Sequence, residues 1–315
     1  MDLDPRRLLT FRTVVRAGSL GAAARALGWT QPAVSQQVRA LERQVGVPLV
    51  VRGPRGITPT DAGRRLLEHA DGLAARLRAA QEELATLADA RAGTVRLATF
   101  PTAGAALVPG ALVALARERP GVEVRLTEAE PPEATALVVA GEVDAALVFR
   151  YEDDPDVLDP ALLRRPLTVE EMCLVVPPGH RLSSGACSGA GSRRVRLADA
   201  AGERWVGGCR RCREHLLRAC SRAGFVPDVR HSTDDYVLVQ ALVAQGLAVA
   251  LLPRTALDVV HRADVVVRRV ADGGRRRVDL VHHRDAAGGP ALQALVEALV
   301  EVSGAAAPTA GRPPG

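Results

Sequence analysis

Residues 19–42, SLGAAARALGWTQPAVSQQVRALE, read as two short helices joined by a tight turn. Ser19 is placed to cap the first helix, its hydroxyl accepting an orphan N–H of the opening turn. Ala22, Ala23, Ala26 and Leu27 give that helix a small-residue inner face. Gly28 ends it, because glycine tolerates the left-handed conformation that stops a helix. Trp29 is expected to fill the corner. Thr30 is expected to cap the second helix, and Pro32 fits the first turn, where an N–H has no intrahelical partner. Ala33, Val34, Val38 and Leu41 then fall at helical spacing and face inward.

That spacing leaves Gln31, Ser35, Gln36 and Arg39 on the outer face. Such a face suits a DNA major groove: Gln bonds adenine N6 and N7, Ser donates or accepts, and Arg reaches guanine or phosphate. Thr30 sits beside them, and Pro32 and Ala33 offer apolar contact to a thymine methyl. A solvated polar face is the plain alternative, since helix-turn-helix shapes also occur in ordinary cores. Two neighbouring features favour DNA. LVVRGPRGITPT (49–60) reads as strand, turn, strand, with Gly53, Pro54 and Gly56 in the turn and Arg52 and Arg55 at its tip. Residues 1–60 also hold nine arginines against Asp2, Asp4 and Glu42, a net of +6; the whole chain is +5, which leaves −1 for residues 61–315. A basic excess confined to one segment is the electrostatic footprint of nucleic-acid binding.

GSLGAAARALGWTQPAVSQQVRALERQVGVPLVVR, followed by ITPTDAGRRLL, closely resembles the DNA-binding domain of LysR-type transcriptional regulators. The S-x-x-x-A-A-x-x-L pair, the T-Q-P-A-x-S-x-Q helix, the L-E-x-x-x-G-x-x-L exit and the later T-x-x-G carry the match. Val50-Val51-Arg52 departs from the family's usual Phe before the arginine. The resemblance extends over residues 3 to about 303.

Thr60 is placed to cap a long helix reaching about residue 89. Its Leu66, Ala70, Leu73, Leu77, Ala80, Leu84 and Leu87 repeat at spacings of four and three, a heptad seam that calls for a partner helix. In the family this is the linker helix that pairs subunits. The resemblance therefore implies a homodimer or homotetramer on a near-palindromic double-stranded DNA operator. RNA polymerase is a further partner it implies.

After Ala92-Gly93 the pattern changes to alternating strands and helices, which argues for parallel sheets. Strands are expected at 94–100, 122–128, 143–149, 170–177, 204–208, 228–232, 247–253, 265–270 and 277–283. Helices are expected at Pro101–Arg117, Pro132–Ala140, 210–223, Asp234–Gln245 and Pro290–Val302. Residues 183–194 read as a low-complexity surface insertion and 304–315 as a disordered tail. The fold class is thus α/β multidomain. A winged helix-turn-helix occupies 1–60 and a linker helix 61–89. The effector domain spans 93–303 and resembles a two-lobed periplasmic binding protein, with lobe one at 93–165 and 270–303 and lobe two at 166–269.

In such folds the ligand sits between lobes, at strand carboxyl ends and helix N-termini. Thr99, Phe100, Pro101 and Thr102 form one such junction, suited to an anionic small-molecule effector. Facing them are Phe149, Gly207, Gly208, Cys209, Thr233 and Asp234, with Asp234 read as a helix cap. Arg150 is expected to pair with an anion or with Glu152 or Asp153. Cys209-Arg210-Arg211-Cys212 opens a helix, with Cys220 eight residues on. Peroxide-sensing members of the family carry their redox pair in this region, so thiol sensing through Cys209, Cys212 and Cys220 is the alternative function. Zinc lacks a second matched ligand pair beside His215, so no metal is expected. His282 and His283 point to opposite strand faces and are read as surface residues.

No Ser-His-Asp order, phosphate loop or paired carboxylate stands out, so neither catalysis nor a cofactor is expected. A binding protein or enzyme with an incidental basic domain is the more distant rival. Aromatics are only 3% of residues, so Ala, Val and Leu must fill the interior. All 41 basic residues are arginine, which points to compositional bias. No apolar run reaches the roughly 20 residues of a membrane span. An odd number of cysteines, five, argues for a reducing cytoplasm rather than a disulfide framework.

Overall fold

The computed structural model describes residues 3–54, 56–88, 93–184, 194–287 and 289–306. It opens with α1 (Pro5–Ala17), α2 (Leu20–Leu27) and α3 (Gln31–Val45), followed by a hairpin of β1 (Val50–Gly53) and β2 (Gly56–Pro59). Phe11, Val14, Ala23, Val34, Val38, Leu41 and Leu49 are fully buried between them. Ser19 Oγ accepts from Ala22 N at 3.1 Å, and Gly28 closes α2 at φ 66°. Three local expectations shift. Ala24, not Ala26, is buried in α2 beside Ala23. Trp29 stays 46% exposed instead of filling the turn. Thr30 occupies the cap position of α3, but its side chain makes no capping bond.

Glu42 at the end of α3 accepts from Leu49 N at 2.9 Å and Val50 N at 3.3 Å, which ties the hairpin to the helix. Two glycines fix the hairpin's seat. Gly56 has φ +112°, and a Cβ there would lie 2.5 Å from Gly18 O. A Cβ on Gly63 would lie 2.0 Å from Leu49 O, so the T-x-x-G motif is a close backbone approach. Thr60 Oγ1 accepts from Gly63 N at 3.0 Å and caps the next helix, α4 (Asp61–Ala88).

At 1.5 Å per residue α4 is about 42 Å long. Its buried Asp71 accepts from Arg12 Nε at 2.7 Å and Arg16 Nη2 at 2.6 Å, both on α1. Farther along, Arg76 pairs with Asp285 at 2.9 Å and Arg78 with Asp144 at 3.4 Å, so the helix also leans on the larger domain. The seam divides accordingly. Leu66 packs with Phe11, Leu41 and Leu49 of its own chain, and Ala70 is fully buried. Leu77 and Leu84 remain 46% and 65% exposed, and the Leu87 side chain lies outside the described residues.

The larger domain starts with β3 (Gly93–Thr99), α5 (Pro101–Ala106), α6 (Val108–Glu118), β4 (Val122–Glu128), α7 (Pro131–Val139) and β5 (Ala145–Tyr151). A single 15-residue strand, β6 (Leu162–Val176), leads to the second lobe. There follow β7 (Arg204–Gly207), α8 (Arg210–Arg222), β8 (Asp228–Ser232), α9 (Tyr236–Ala244), β9 (Val249–Pro253), α10 (Arg254–Val259) and β10 (Val266–Arg269). The chain returns as β11 (Arg275–His283) and ends in α11 (Pro290–Ala306). The strand order is β4-β3-β5-β11-β6-β9-β7-β8, with β10 also on β6. β3 is parallel to β4 and β5, and β7 is parallel to β8 and β9, while β6, β10 and β11 pair antiparallel.

β6 belongs to both lobes. Leu162–Glu171 pairs with β11, and Met172–Val176 pairs with β9 and β10. The first crossover therefore lies inside a strand, later than the expected 165; the second lies between β10 and β11. Pro109 splits the expected 101–117 helix in two at Leu107, since a proline nitrogen has no proton to give to the preceding turn. α10 was not foreseen. α11 takes in residues 304–306 of the expected tail, and 307–315 lie outside the described residues, as does most of the 183–194 insertion.

Candidate functional site

On the head, Gln31, Pro32, Gln36 and Arg39 are exposed along one face of α3, with Ala33 and Ser35 half-buried among them. Val34, Val38 and Leu41 face inward and hold that orientation. The exposed Arg52 reaches across from β1, its Nη2 donating to Ser35 Oγ at 3.2 Å. Helix and hairpin thus present one polar, cationic surface. Arg55 lies outside the described residues.

Between the lobes lie two neighbouring pockets. The wider, about 340 Å³, is lined by Pro101 and Thr102 of α5, by Glu128, Asp234 and Asp235, and by Val237, Ala256 and Val259. The narrower holds about 20 Å³, room for roughly one water-sized group. Glu130, Tyr151, Gly208, Cys209, Cys212, Thr233, Asp234 and Tyr236 line it. Carboxylates mark both walls, which does not suit the expected anionic ligand.

The expected effector residues separate into two groups. Pro101, Thr102, Gly208, Cys209, Thr233 and Asp234 line the pockets. Thr99, Phe100, Phe149 and Gly207 are buried behind them. The cap of α9 is Asp235, whose Oδ1 accepts from Val237 N at 2.8 Å, so Asp234 is left exposed at the cleft. Arg150 pairs with buried Asp279 at 3.2 Å rather than with Glu152 or Asp153. His283 is buried rather than at the surface, its Nδ1 accepting from Asp285 N at 3.2 Å, and burial lowers its pKa.

Beneath the pockets lies a residue that the sequence did not single out. Arg276, 1% exposed, pairs through Nε with Glu170 at 2.7 Å and donates from Nη2 to Thr102 Oγ1 at 2.9 Å. Its guanidinium lies 4.6 Å from the Phe149 centroid and 5.1 Å from that of Phe100. Burial works against its charge, but the Glu170 carboxylate more than offsets this and its pKa rises. Nη1 has no hydrogen-bond partner among the described residues. Strand alternation is the one signal that could have marked it: in Arg275-Arg276-Arg277 the middle residue faces inward.

Cys209 is the N-cap of α8, accepting from Cys212 N at 3.5 Å, and its Sγ lies 3.1 Å from that of Cys212. Cys220 is buried in the second lobe's core with Trp205 and Leu216, and burial pushes its thiol up to about 12. Cys220 is therefore not brought to the pair. α8 is clamped by the loop after β5: Asp153 takes Arg218 and Arg222, and Asp154 takes Arg211 and Arg218. His215 Nε2 donates to Gly273 O at 2.9 Å in the second crossover, and its ring stacks on Tyr151 with centroids 3.7 Å apart. Among the described residues no helix is long and apolar enough to cross a membrane, and no cluster is arranged to hold a metal ion.

Residues 5–64 match the bacterial regulatory helix-turn-helix profile of the lysR family, and residues 88–304 match the LysR substrate binding domain. A probable hydrogen peroxide-inducible genes activator of Mycobacterium avium is 30% identical over 257 residues, covering 80% of this chain and 78% of that protein. The transcriptional regulator ShiR of Corynebacterium glutamicum is 29% identical, over 79% and 82% of the two chains. Among solved structures, full-length OxyR from Pseudomonas aeruginosa, in a cysteine-to-aspartate variant, superposes with a TM-score of 0.68 at 21% identity, covering 96% and 95%. Full-length BenM gives 0.60 at 21%, covering 99% and 100%. At these identities the two structures speak for the fold alone. With a helix-turn-helix head, a linker helix and a two-lobed domain matched along most of its length, the chain belongs to the LysR family of DNA-binding transcription regulators, which are not enzymes.

Proposed function

We propose that this regulator responds to oxidants through the Cys209–Cys212 pair, with disulfide formation in the cleft altering how paired heads sit on DNA. The observation that carries the reading is the 3.1 Å separation of the two sulfurs beside a small pocket between the lobes. Closing that gap to the roughly 2.05 Å of a disulfide needs only local movement at the start of α8. The relatives named for induction by hydrogen peroxide agree with this chemistry. α8 is also the element clamped to lobe one by Asp153 and Asp154, so a change at its first turn bears on the lobe interface.

On the DNA side, Gln31, Ser35, Gln36 and Arg39 read the major groove, and Arg52 holds phosphate or a minor groove. Leu77 and Leu84, exposed on α4, meet the same seam of a second copy. Two heads then engage a near-palindromic site in the cytoplasm. The test is mass spectrometry after a stoichiometric hydrogen peroxide pulse. A Cys209–Cys212 disulfide is expected. Both thiols staying reduced, with DNA binding unchanged, contradicts the reading.

A second reading rests on the wider pocket. Its apolar walls and Glu128, Asp234 and Asp235 suit a neutral or cationic organic effector better than an anion. Calorimetric titration with small amines against matched carboxylates separates these. Carboxylates binding more tightly would count against it.

A further inference from the structure

We propose that Trp29, together with Arg25, grips the sugar-phosphate backbone of duplex DNA beside α3, whatever the base sequence. This rests on the reading above in which α3 enters the major groove. The chain has two Trp, two Tyr and four Phe, and among these side chains Trp29 alone is exposed, at 46%. The other tryptophan, Trp205, is fully buried in the second lobe.

The backbone explains where the indole sits. Gly28 takes the left-handed conformation at φ 66°; its N–H donates to Arg25 O at 3.3 Å, and the Trp29 N–H donates to Ala24 O at 2.9 Å. This bond pair closes α2 and pins Trp29 at the corner. An apolar residue in that place normally packs back on the last turn of the helix. A leucine would be enough for that task, whereas an indole left nearly half in water exceeds it. Trp29 also begins an exposed run through Thr30, Gln31 and Pro32 that leads directly onto the outer face of α3.

Arg25, exposed on α2, joins the same surface. Gln31 Oε1 and Arg25 Nη1 lie 3.8 and 3.9 Å from the place a Gly21 Cβ would take, so the two side chains come together over that glycine. Residues 18–41 contain Arg25 and Arg39 and no acid, so α2 and the turn hold no carboxylate to offset the charge. One turn along α3, Ser35 accepts from Arg52. The outer face of α3 therefore has one cation beside Gln31 and another beside Ser35.

Where the N-terminal residues of a recognition helix contact base edges, the preceding helix crosses the DNA backbone. That brings α2 and the turn to the phosphates. Arg25 supplies the charge. Trp29 lays an apolar ring against deoxyribose and gives its indole N–H, which can only donate, to a phosphate oxygen. Neither group reads a base, so the grip adds affinity without adding sequence preference.

Full-length protein and short random-sequence duplexes at low salt test this, with binding followed separately by the anisotropy of labelled DNA. Acrylamide quenching of the native fluorescence reads Trp29, because Trp205 is fully buried. Saturating duplex should remove most of the accessible emission. Trp29→Leu, which keeps an apolar residue at the helix end, should weaken binding about fivefold on every duplex and leave the slope of log affinity against log salt unchanged. Arg25→Ala should lower that slope by about one. Emission equally accessible at saturation, or Trp29→Leu binding as wild type does, overturns the Trp29 contact; an unchanged slope in Arg25→Ala overturns the share given to Arg25. Ser35→Ala separates this from the reading beneath it. Lost sequence preference there beside a silent Trp29→Leu overturns the grip alone, whereas silence at both positions overturns the docking of α3.

Discussion

Arg52, on the hairpin, donates from Nη2 to the Oγ of Ser35, on the outer face of α3, at 3.2 Å. The contact sets the hairpin against the helix before any DNA arrives. It also means that the residue proposed to hold phosphate and the one proposed to read a base edge are linked in the free protein.

Replacing either residue should weaken operator binding, but differently. Arg52→Ala should cost affinity about equally on all duplexes and lower the slope of log affinity against log salt by about one. Ser35→Ala should cost about 1–2 kcal/mol on the preferred site only. Quantitative footprinting at several salt concentrations checks both. Footprints equal to wild type would count against these roles.

Gly63→Ala should destabilise the head by about 2–3 kcal/mol, because its Cβ would fall 2.0 Å from Leu49 O and force backbone to move. Gly56→Ala should do the same, with a positive φ added to the clash at Gly18 O. Urea denaturation read by circular dichroism measures both. Unchanged midpoints would show that the hairpin can shift freely.

Local signals carried much of this structure. Ser19, Gly28, Thr60 and the α3 spacing act within one helical turn, so the sequence shows them directly. What depends on distant partners was hidden. Pro166 argues against a strand, yet β6 runs through it beside a register shift opposite Val278 and Asp279, where a proline does no harm. Asp234 and Asp235 are equivalent as caps on paper, and only the turn after β8 chooses between them. The dithiol motif was visible in the sequence. Arg276, Glu170, Tyr151 and Glu130 were not, because they converge from strands and loops far apart in the chain.

Association should fail when the exposed part of the α4 seam is charged. Leu77→Arg with Leu84→Arg should give monomers by light scattering at micromolar concentration while each chain stays folded, since the two side chains are 46% and 65% exposed in one chain. A double variant that remains dimeric would place the pairing surface elsewhere.

Stability should fall on mild acidification. Burial lowers the folded-state pKa of His215, and of His283, below the ordinary value of about 6.5. Between that value and the lower folded one the unfolded chain binds more protons, so stability drops as pH falls through about 6.5. Asp153 acts in a separate window. Burial raises its pKa, but bonds from Arg222 and Arg218 outweigh this and hold it at about 2, so its contribution is lost only as pH falls below roughly 3.8. Urea midpoints at pH 7.5 and 5.5 should differ in wild type and differ less in His215→Gln. Equal pH dependence in the two proteins would remove His215 from this account.

The central claim is that oxidation in the cleft is felt at the head. The most direct measurement is a footprint on DNA selected from a genomic pool, taken with reduced and with peroxide-treated full-length protein. The expected result is a changed footprint length or occupancy in wild type and an unchanged one in Cys212→Ser. A Cys209–Cys212 disulfide that forms fully while the wild-type footprint stays the same would contradict it.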